Sequence, residues 1–271
     1  VVDRMRFGFG KNWQSFSETA LTQERITQAR QAFRGLFAGI ELHGRSFLDI
    51  GFGQGLSLVC AAEMGAEVLG IDIDPDNLDA LQATARAMQS AQAPNTRIAS
   101  ILDRSFVTEY RAKGGFDVVH SWGVLHHTGD MAQAFDHACS LVADGGYLVC
   151  SIYNRHWSSG PWKAVKYAYN KSPAVLQRLL ISVLYPVIFV AKWLVTGKNP
   201  KHKDRGMDFY HDVVDWVGGY PYEYASIQEI KDLVCPKGFE CLRVQPARVP
   251  TGCNEFVFRK PRHLDANLDE P

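Results

Sequence analysis

Between residues 46 and 154, short runs rich in Val, Ile and Leu alternate with stretches of helical character, and this alternation constrains the fold more than any other feature of the chain. SFLDIGF, EVLGIDID, TRIASILD, GFDVVHSWGVL and YLVCSIYN read as five strands. SLVCAAEMG, DPDNLDALQATARAMQSA and MAQAFDHACSLVADGG read as helices between them. The second has aspartates in its first turn, which suits the positive end of a helix dipole, and the third is closed by Gly145 and Gly146. Strand, helix, strand repeats with short connections build an α/β fold, a parallel sheet covered on both faces.

The rest of the chain attaches to this core. Upstream, Leu21, Ile26, Ala29, Phe33 and Leu36 recur at roughly helical intervals, which predicts one leading helix opened near Ser17 or Ala20 and ended near Gly39 or Gly44. Downstream the rhythm breaks and resumes with SIQEIKDLVCPKGF, where Ser226 and Glu229 have capping-box spacing. ECLRVQPARV and NEFVFRK then read as a closing antiparallel pair. The expected organisation is a cap and leading helix over 1–45, a core over 46–154, an aromatic-rich helical lid over 155–225, a helix and the last two strands over 226–260, and a polar tail over 261–271.

A chain of 271 residues with 46% hydrophobic content can bury a large core. Its 29 Lys and Arg balance 29 Asp and Glu, so nothing in the net charge draws it to nucleic acid, and a small-molecule partner fits better. The six cysteines lie far apart, without a C-x-x-C pair or a zinc-like Cys/His cluster; we expect reduced core thiols, a cytoplasmic protein and no metal site. VVDRMRFGFGKNWQSF has no apolar signal-peptide core. The oligomeric state leaves no mark in the sequence.

LDIGFGQGLSL, residues 48–58, turns from strand to helix through three glycines, which let a backbone approach a ligand under the helix N-terminus. A dinucleotide loop wants G-x-G-x-x-G, but Gly51, Gly53 and Gly55 are followed by Leu56 where that third glycine belongs. Asp49, ahead of the loop, would repel a pyrophosphate and attract a cationic group. Asp72 ends the second strand, the usual place for a carboxylate that takes ribose hydroxyls. A nucleoside with a positively charged, amino-acid-like attachment satisfies all of these.

LDIGFGQG, GIDIDP, ILD and FDVVHSWGVLHH together resemble the ordered motifs of class I S-adenosylmethionine-dependent methyltransferases. The resemblance implies a Rossmann-like seven-stranded, mostly parallel sheet with an antiparallel last strand and a helical lid after strand five. Its cofactor would be S-adenosyl-L-methionine, with Gly51, Gly53 and Gly55 under the methionine part, Asp49 near its ammonium, Asp72 on the ribose, Ile73 against the adenine and Asp103 at the adenine amino group. His120 and Ser121 to Gly123 would lie beside the sulfonium. Phe52 departs from the small residue many relatives carry, which changes packing and leaves the glycines untouched. FGFGKNWQSF resembles the start of a subset near the quinone-precursor and sugar methyltransferases, where Trp13 and Phe16 would cover the cofactor; a hydrophobic staple ahead of the first helix explains them equally well.

Methyl transfer is an in-line displacement that needs a positioned acceptor and, for oxygen, a home for its proton. His126 and His127 follow the fourth strand where open α/β sheets place ligands; His126 is the first candidate base, although one of the pair can instead cap a helix. Tyr153 and Asn154 end the fifth strand in the same region. Trp157, Tyr210 and Tyr220 belong to the aromatic lid that would choose the acceptor. His211 is the second candidate base; with Asp215 it makes a conceivable metal pair, though a solvated face or a salt bridge to Arg205 accounts for both. WVGGYPYEYAS and GCNEFVFR resemble stretches in relatives of quinone-biosynthesis methyltransferases. Residues 174–195 approach bilayer-crossing length but carry Gln177, Arg178, Lys192 and Pro186, which predicts a buried two-helix lid or peripheral membrane contact. The expected activity is methylation of a small molecule, first at oxygen; transfer to nitrogen, sulfur or carbon, or a non-catalytic cofactor-binding scaffold, are the alternatives.

Overall fold

The computed structural model describes residues 7–90, 93–201 and 208–262; Arg205 and the tail beyond residue 262 lie outside them. Seven strands, β1 (Ser46–Ile50), β2 (Glu67–Asp72), β3 (Asn95–Ile98), β4 (Phe116–Trp122), β5 (Val142–Tyr153), β6 (Glu240–Gln245) and β7 (Cys253–Arg259), form one sheet in the order β3-β2-β1-β4-β5-β7-β6. The first five run parallel, and β7 is antiparallel to both of its neighbours. This is the expected Rossmann-like sheet. The strand order reverses between β1 and β4, and a crevice opens at their carboxyl ends, the switch point where such sheets bind ligands.

The helices are α1 (Phe9–Thr19), α2 (Gln23–Leu36), α3 (Leu56–Glu63), α4 (Asp76–Ala87), α5 (Arg104–Ala112), α6 (Met131–Ser140), α7 (Ser159–Lys171), α8 (Ala174–Thr196), α9 (Phe209–Gly218) and α10 (Ile227–Val234). Alternate strand residues face opposite layers. Leu48, Val119 and Cys150 pack with Phe106, Phe135 and Ile230 of α5, α6 and α10. Phe47, Val118 and Val149 pack with Phe16, Phe33 and Val59 of α1, α2 and α3. The Ser226–Glu229 capping box opens α10 as its spacing predicts.

Three expectations change: α6 ends at Ser140, and Gly145 and Gly146 lie inside β5 instead of closing the helix. The single leading helix is two, because Thr22 caps α2 by accepting from Arg25 N, while Ser17 lies inside α1 with its hydroxyl 3.1 Å from that of Thr84. The 174–195 segment is one continuous helix through Pro186, and it is not a buried pair: it buries Ile181 and Ile188 against Phe209 and Val213 of α9. Val175, Leu179, Val183, Trp193 and Leu194 are exposed. Among the described residues α8 is the one helix long and apolar enough to cross a membrane.

Candidate active site

A cavity of about 1450 Å³ lies at the carboxyl ends of β1, β2, β4 and β5, bounded by α1, α2, α8 and α9. That exceeds the roughly 300–1,000 Å³ of a pocket for one drug-sized ligand and leaves room for two reactants.

One end is built on the glycine loop. Gly51, Gly53 and Gly55 have φ of +73°, +52° and +81°, which L side chains rarely adopt. A Cβ on Gly51 would lie 2.4 Å from Val124, and one on Gly55 2.1 Å from Leu81, so these two glycines also admit tight protein packing. A Cβ on Gly53 would instead meet the Trp13 indole at 3.2 Å. Trp13 and Gly53 both line the cavity; Gly55 starts α3 and does not. Asp72 accepts from Gly53 N and Asp74 N, each at 3.0 Å. Burial raises its pKa and those hydrogen bonds oppose the rise. Ile73, 49% exposed, adds an apolar wall. Asp49 pairs in register with His120, and its carboxylate lies 2.7 Å from His120 Nδ1, both groups buried.

Two predicted cofactor residues are elsewhere. Asp103 is exposed and caps α5, accepting from Ser105 N and Oγ, which pulls its pKa down; Ser100 and Ile101 stand on the cavity wall instead. Ser121 falls on the opposite face of β4 from His120 and Trp122, and its hydroxyl donates to Ile50 O at 3.4 Å.

The other end holds His127, not His126. Both sit in a single 3-10 turn, Leu125–His127, where one residue of phase decides which ring meets the cavity. His127 Nδ1 donates to Pro221 O at 2.5 Å, and since a carbonyl can only accept, the proton is on Nδ1 and the lone pair on Nε2. Burial first, then the Lys166 charge, pulls its pKa down to about 3. His126 is fully buried, with its ring centroid 4.2 Å from that of Tyr153 and no hydrogen-bond partner for either nitrogen among the described residues. Burial lowers its pKa well below the ordinary value. Tyr153 and Tyr220 line the cavity with Trp162, and burial raises the Tyr153 phenol.

The remaining candidates are structural or exposed. His211 is held by Asp208, 3.0 Å from its Nδ1, and by Ser15 Oγ, 3.3 Å from its Nε2, away from the cavity wall. Asn154 ties β5 to Pro250 O and to Asn254. Trp157 is 82% exposed and Tyr210 lies on the outer face of α9. No cluster of metal ligands occurs among the described residues. Sequence reasoning missed Asp215 as a cavity residue and the buried Lys166 whose charge interacts with it. The signal for Asp215 was its four-residue spacing from His211 on one helix face, which pointed to a metal pair or a solvated face and not to the cavity.

A family model described as a methyltransferase domain matches residues 21–201. A ubiquinone biosynthesis O-methyltransferase of Psychrobacter arcticus is 35% identical over 119 residues, 44% of this chain and 45% of that protein. One from Cereibacter sphaeroides is 36% identical over 135 residues, 48% of this chain and 51% of that protein. The chain thus spans about half the length of the curated relatives it matches. Magnesium protoporphyrin IX methyltransferase from Synechocystis PCC 6803, solved with bound SAH, superposes with a TM-score of 0.52 at 17% identity, over 88% of this chain and 86% of that one. An S-adenosylmethionine-dependent methyltransferase from Mesorhizobium loti does so at 0.51 and 18%, over 86% and 99%. These two likenesses establish the fold.

Proposed function

The chain belongs to the methyltransferase domain family, the class I S-adenosylmethionine-dependent methyltransferases, and we propose that it methylates a hydroxyl of a small aromatic acceptor. The observation that carries this reading is one cavity that joins a carboxylate-lined glycine loop to an end walled by His127, Tyr153, Trp162 and Tyr220. The loop end fits the cofactor: Asp49, Asp72 and Asp74 line it, which suits a cationic nucleoside and disfavours a pyrophosphate. When bound, S-adenosyl-L-methionine supplies an electrophilic methyl group. Asp72 would take the ribose, Ile73 the adenine face, Trp13 packed on Gly53 one wall beside the methionine part, and Asp49 its ammonium.

His127 offers Nε2 to an acceptor hydroxyl. A ring this hard to protonate accepts a hydrogen bond and orients the oxygen without keeping its proton. The aromatic walls exclude water and stack a flat ring. The ubiquinone-biosynthesis O-methyltransferases among the relatives favour oxygen over nitrogen, sulfur or carbon as the methylated atom. Incubation with labelled cofactor and a cell extract, followed by mass spectrometry, tests the whole reading. The expected product is a methyl ether; tight cofactor binding with no labelled metabolite would show a scaffold instead.

The exposed face of α8 supports peripheral contact with a lipid surface. Val187 and Val195 are exposed and also line the cavity, so an acceptor dissolved in lipid would reach the cavity mouth along this helix.

A further inference from the structure

An oxygen acceptor must lose its proton, and a histidine as weakly basic as His127 does not retain one. A second group on the same cavity does. Asp215 of α9 lines the cavity, and Asn12 Nδ2 of α1 donates to its Oδ1 at 2.7 Å, which fixes one carboxylate oxygen. The same amide donates to His211 O at 3.1 Å, so the carboxylate is held by a clamp between two helices.

Lys166 of α7, fully buried, acts on it through its charge. Its ammonium donates to Trp216 O and stands 4.7 Å from the Tyr222 ring centroid and 5.5 Å from that of Tyr153. Such a cage costs an ammonium its hydration, and a methionine would fill the space without that cost. Burial lowers the Lys166 pKa to about 7 while Asp215 pulls it up; burial holds Asp215 well above the ordinary carboxylate range, opposed first by the Asn12 hydrogen bond and then by the Lys166 charge. The other groups that face Asp215 are Asp212 of its own helix, paired with Lys192 of α8 at 2.9 Å, Tyr153 of β5, and Asn12, which carries no charge.

Resting on the methyltransferase reading, we propose that Asp215 is the catalytic base that takes the acceptor's proton, and that Lys166 is a positioning residue that keeps this carboxylate ready. The O–H proton passes to the Asp215 carboxylate, the pair it leaves closes the O–CH3 bond, and the electrons of the broken S–CH3 bond stay on the cofactor's sulfur. The proton leaves Asp215 for solvent when the products depart.

The test uses the full chain. With ¹³C-labelled lysine, Lys166 is followed by NMR against pH without ligand, its signal assigned by its loss in K166R. A midpoint near the folded value should drop by about one unit in D215N and be retained in D215E, as expected for loss of a neighbouring opposite charge. With S-adenosylhomocysteine present, 4-nitrophenol is then added below the pH at which the free phenol ionises. The wild type and D215E should turn it yellow, K166M less so with K166R restoring the colour, and D215N not at all. No colour with the wild type, equal colour with D215N, or a Lys166 midpoint unmoved in D215N overturns the proposal. Failure to bind S-adenosylmethionine in calorimetry overturns the methyltransferase reading instead, and the Lys166 midpoint still reports on the pair.

Discussion

At His126 and His127 two adjacent imidazoles meet different surroundings, and their protonation ties the site to stability. Burial holds His127 at about 3 and His126 well below the ordinary histidine value of 6.5. In the unfolded chain both take up protons near that ordinary value, so between it and the folded values the unfolded state binds more protons. Stability is therefore full above the unfolded value and is lost as pH falls through it toward the folded ones. The melting temperature should fall between about pH 7 and about pH 5. His126→Leu should flatten that slope, since it removes two unpartnered ring nitrogens from an apolar site, and should leave turnover within a few-fold. His127→Ala should lower turnover by about 10- to 100-fold, the worth of one orienting hydrogen bond. The reverse ranking would return the role to His126. On the cofactor side, Asp72→Ala should weaken S-adenosylmethionine binding by about 1.5 to 3 kcal/mol in calorimetry, as for the loss of a charge-assisted partner. Unchanged affinity would remove the ribose assignment.

Among the elements, α1 connects what the chain separates. Gly10 N donates to Asp74 Oδ2 at 2.9 Å, Asn12 reaches α9, and Trp13 lies over Gly53. A Cβ on Gly10 would stand 2.6 Å from Asp74 Oδ2 and 2.7 Å from Asp76 Cβ, so Gly10→Val must push α1 off the loop. Cofactor dissociation followed by stopped flow should speed up on the order of tenfold, equal to about 1.4 kcal/mol, with the fold intact by circular dichroism. The same element explains what was legible in the sequence. β1, β2 and the glycine loop are local patterns: apolar runs, a turn only glycine permits, a carboxylate at a strand end. α1 is defined by partners 64 and 199 residues away, and Gly8 and Gly10 hide it from propensity. His127 differs from His126 by one residue of phase in a 3-10 turn, which no periodicity reports. His211 looked catalytic because its residue type and aromatic company are right, yet Asp208 and Ser15 consume both of its nitrogens. Asp103 had a motif's spacing and a helix cap's geometry.

For the whole molecule, the question is how an acceptor reaches a cavity closed on one side by α1 and α9. α8 packs with α9 through Ile181 and Ile188, and its Val175, Leu179 and Val183 face outward at four-residue intervals on one stripe. Arg178 on the neighbouring face of the helix and Lys198 and Lys201 beyond its end are exposed cations suited to anionic headgroups, and Trp193 suits the headgroup level. Because Val187 and Val195 belong both to this face and to the cavity wall, docking α8 on lipid would place the cavity mouth at the membrane surface. In flotation with vesicles containing anionic lipid, the chain should rise with the vesicles and lose most of that binding in high salt, since the cationic share is screened. Leu179→Glu together with Val183→Glu should abolish flotation while leaving the melting temperature and cofactor affinity unchanged, because both side chains are exposed and neither lines the cavity. Retained flotation in the double variant would exclude α8 as the docking face. A second copy of the chain covering the same stripe would instead make the wild type sediment as a dimer that the double variant dissociates.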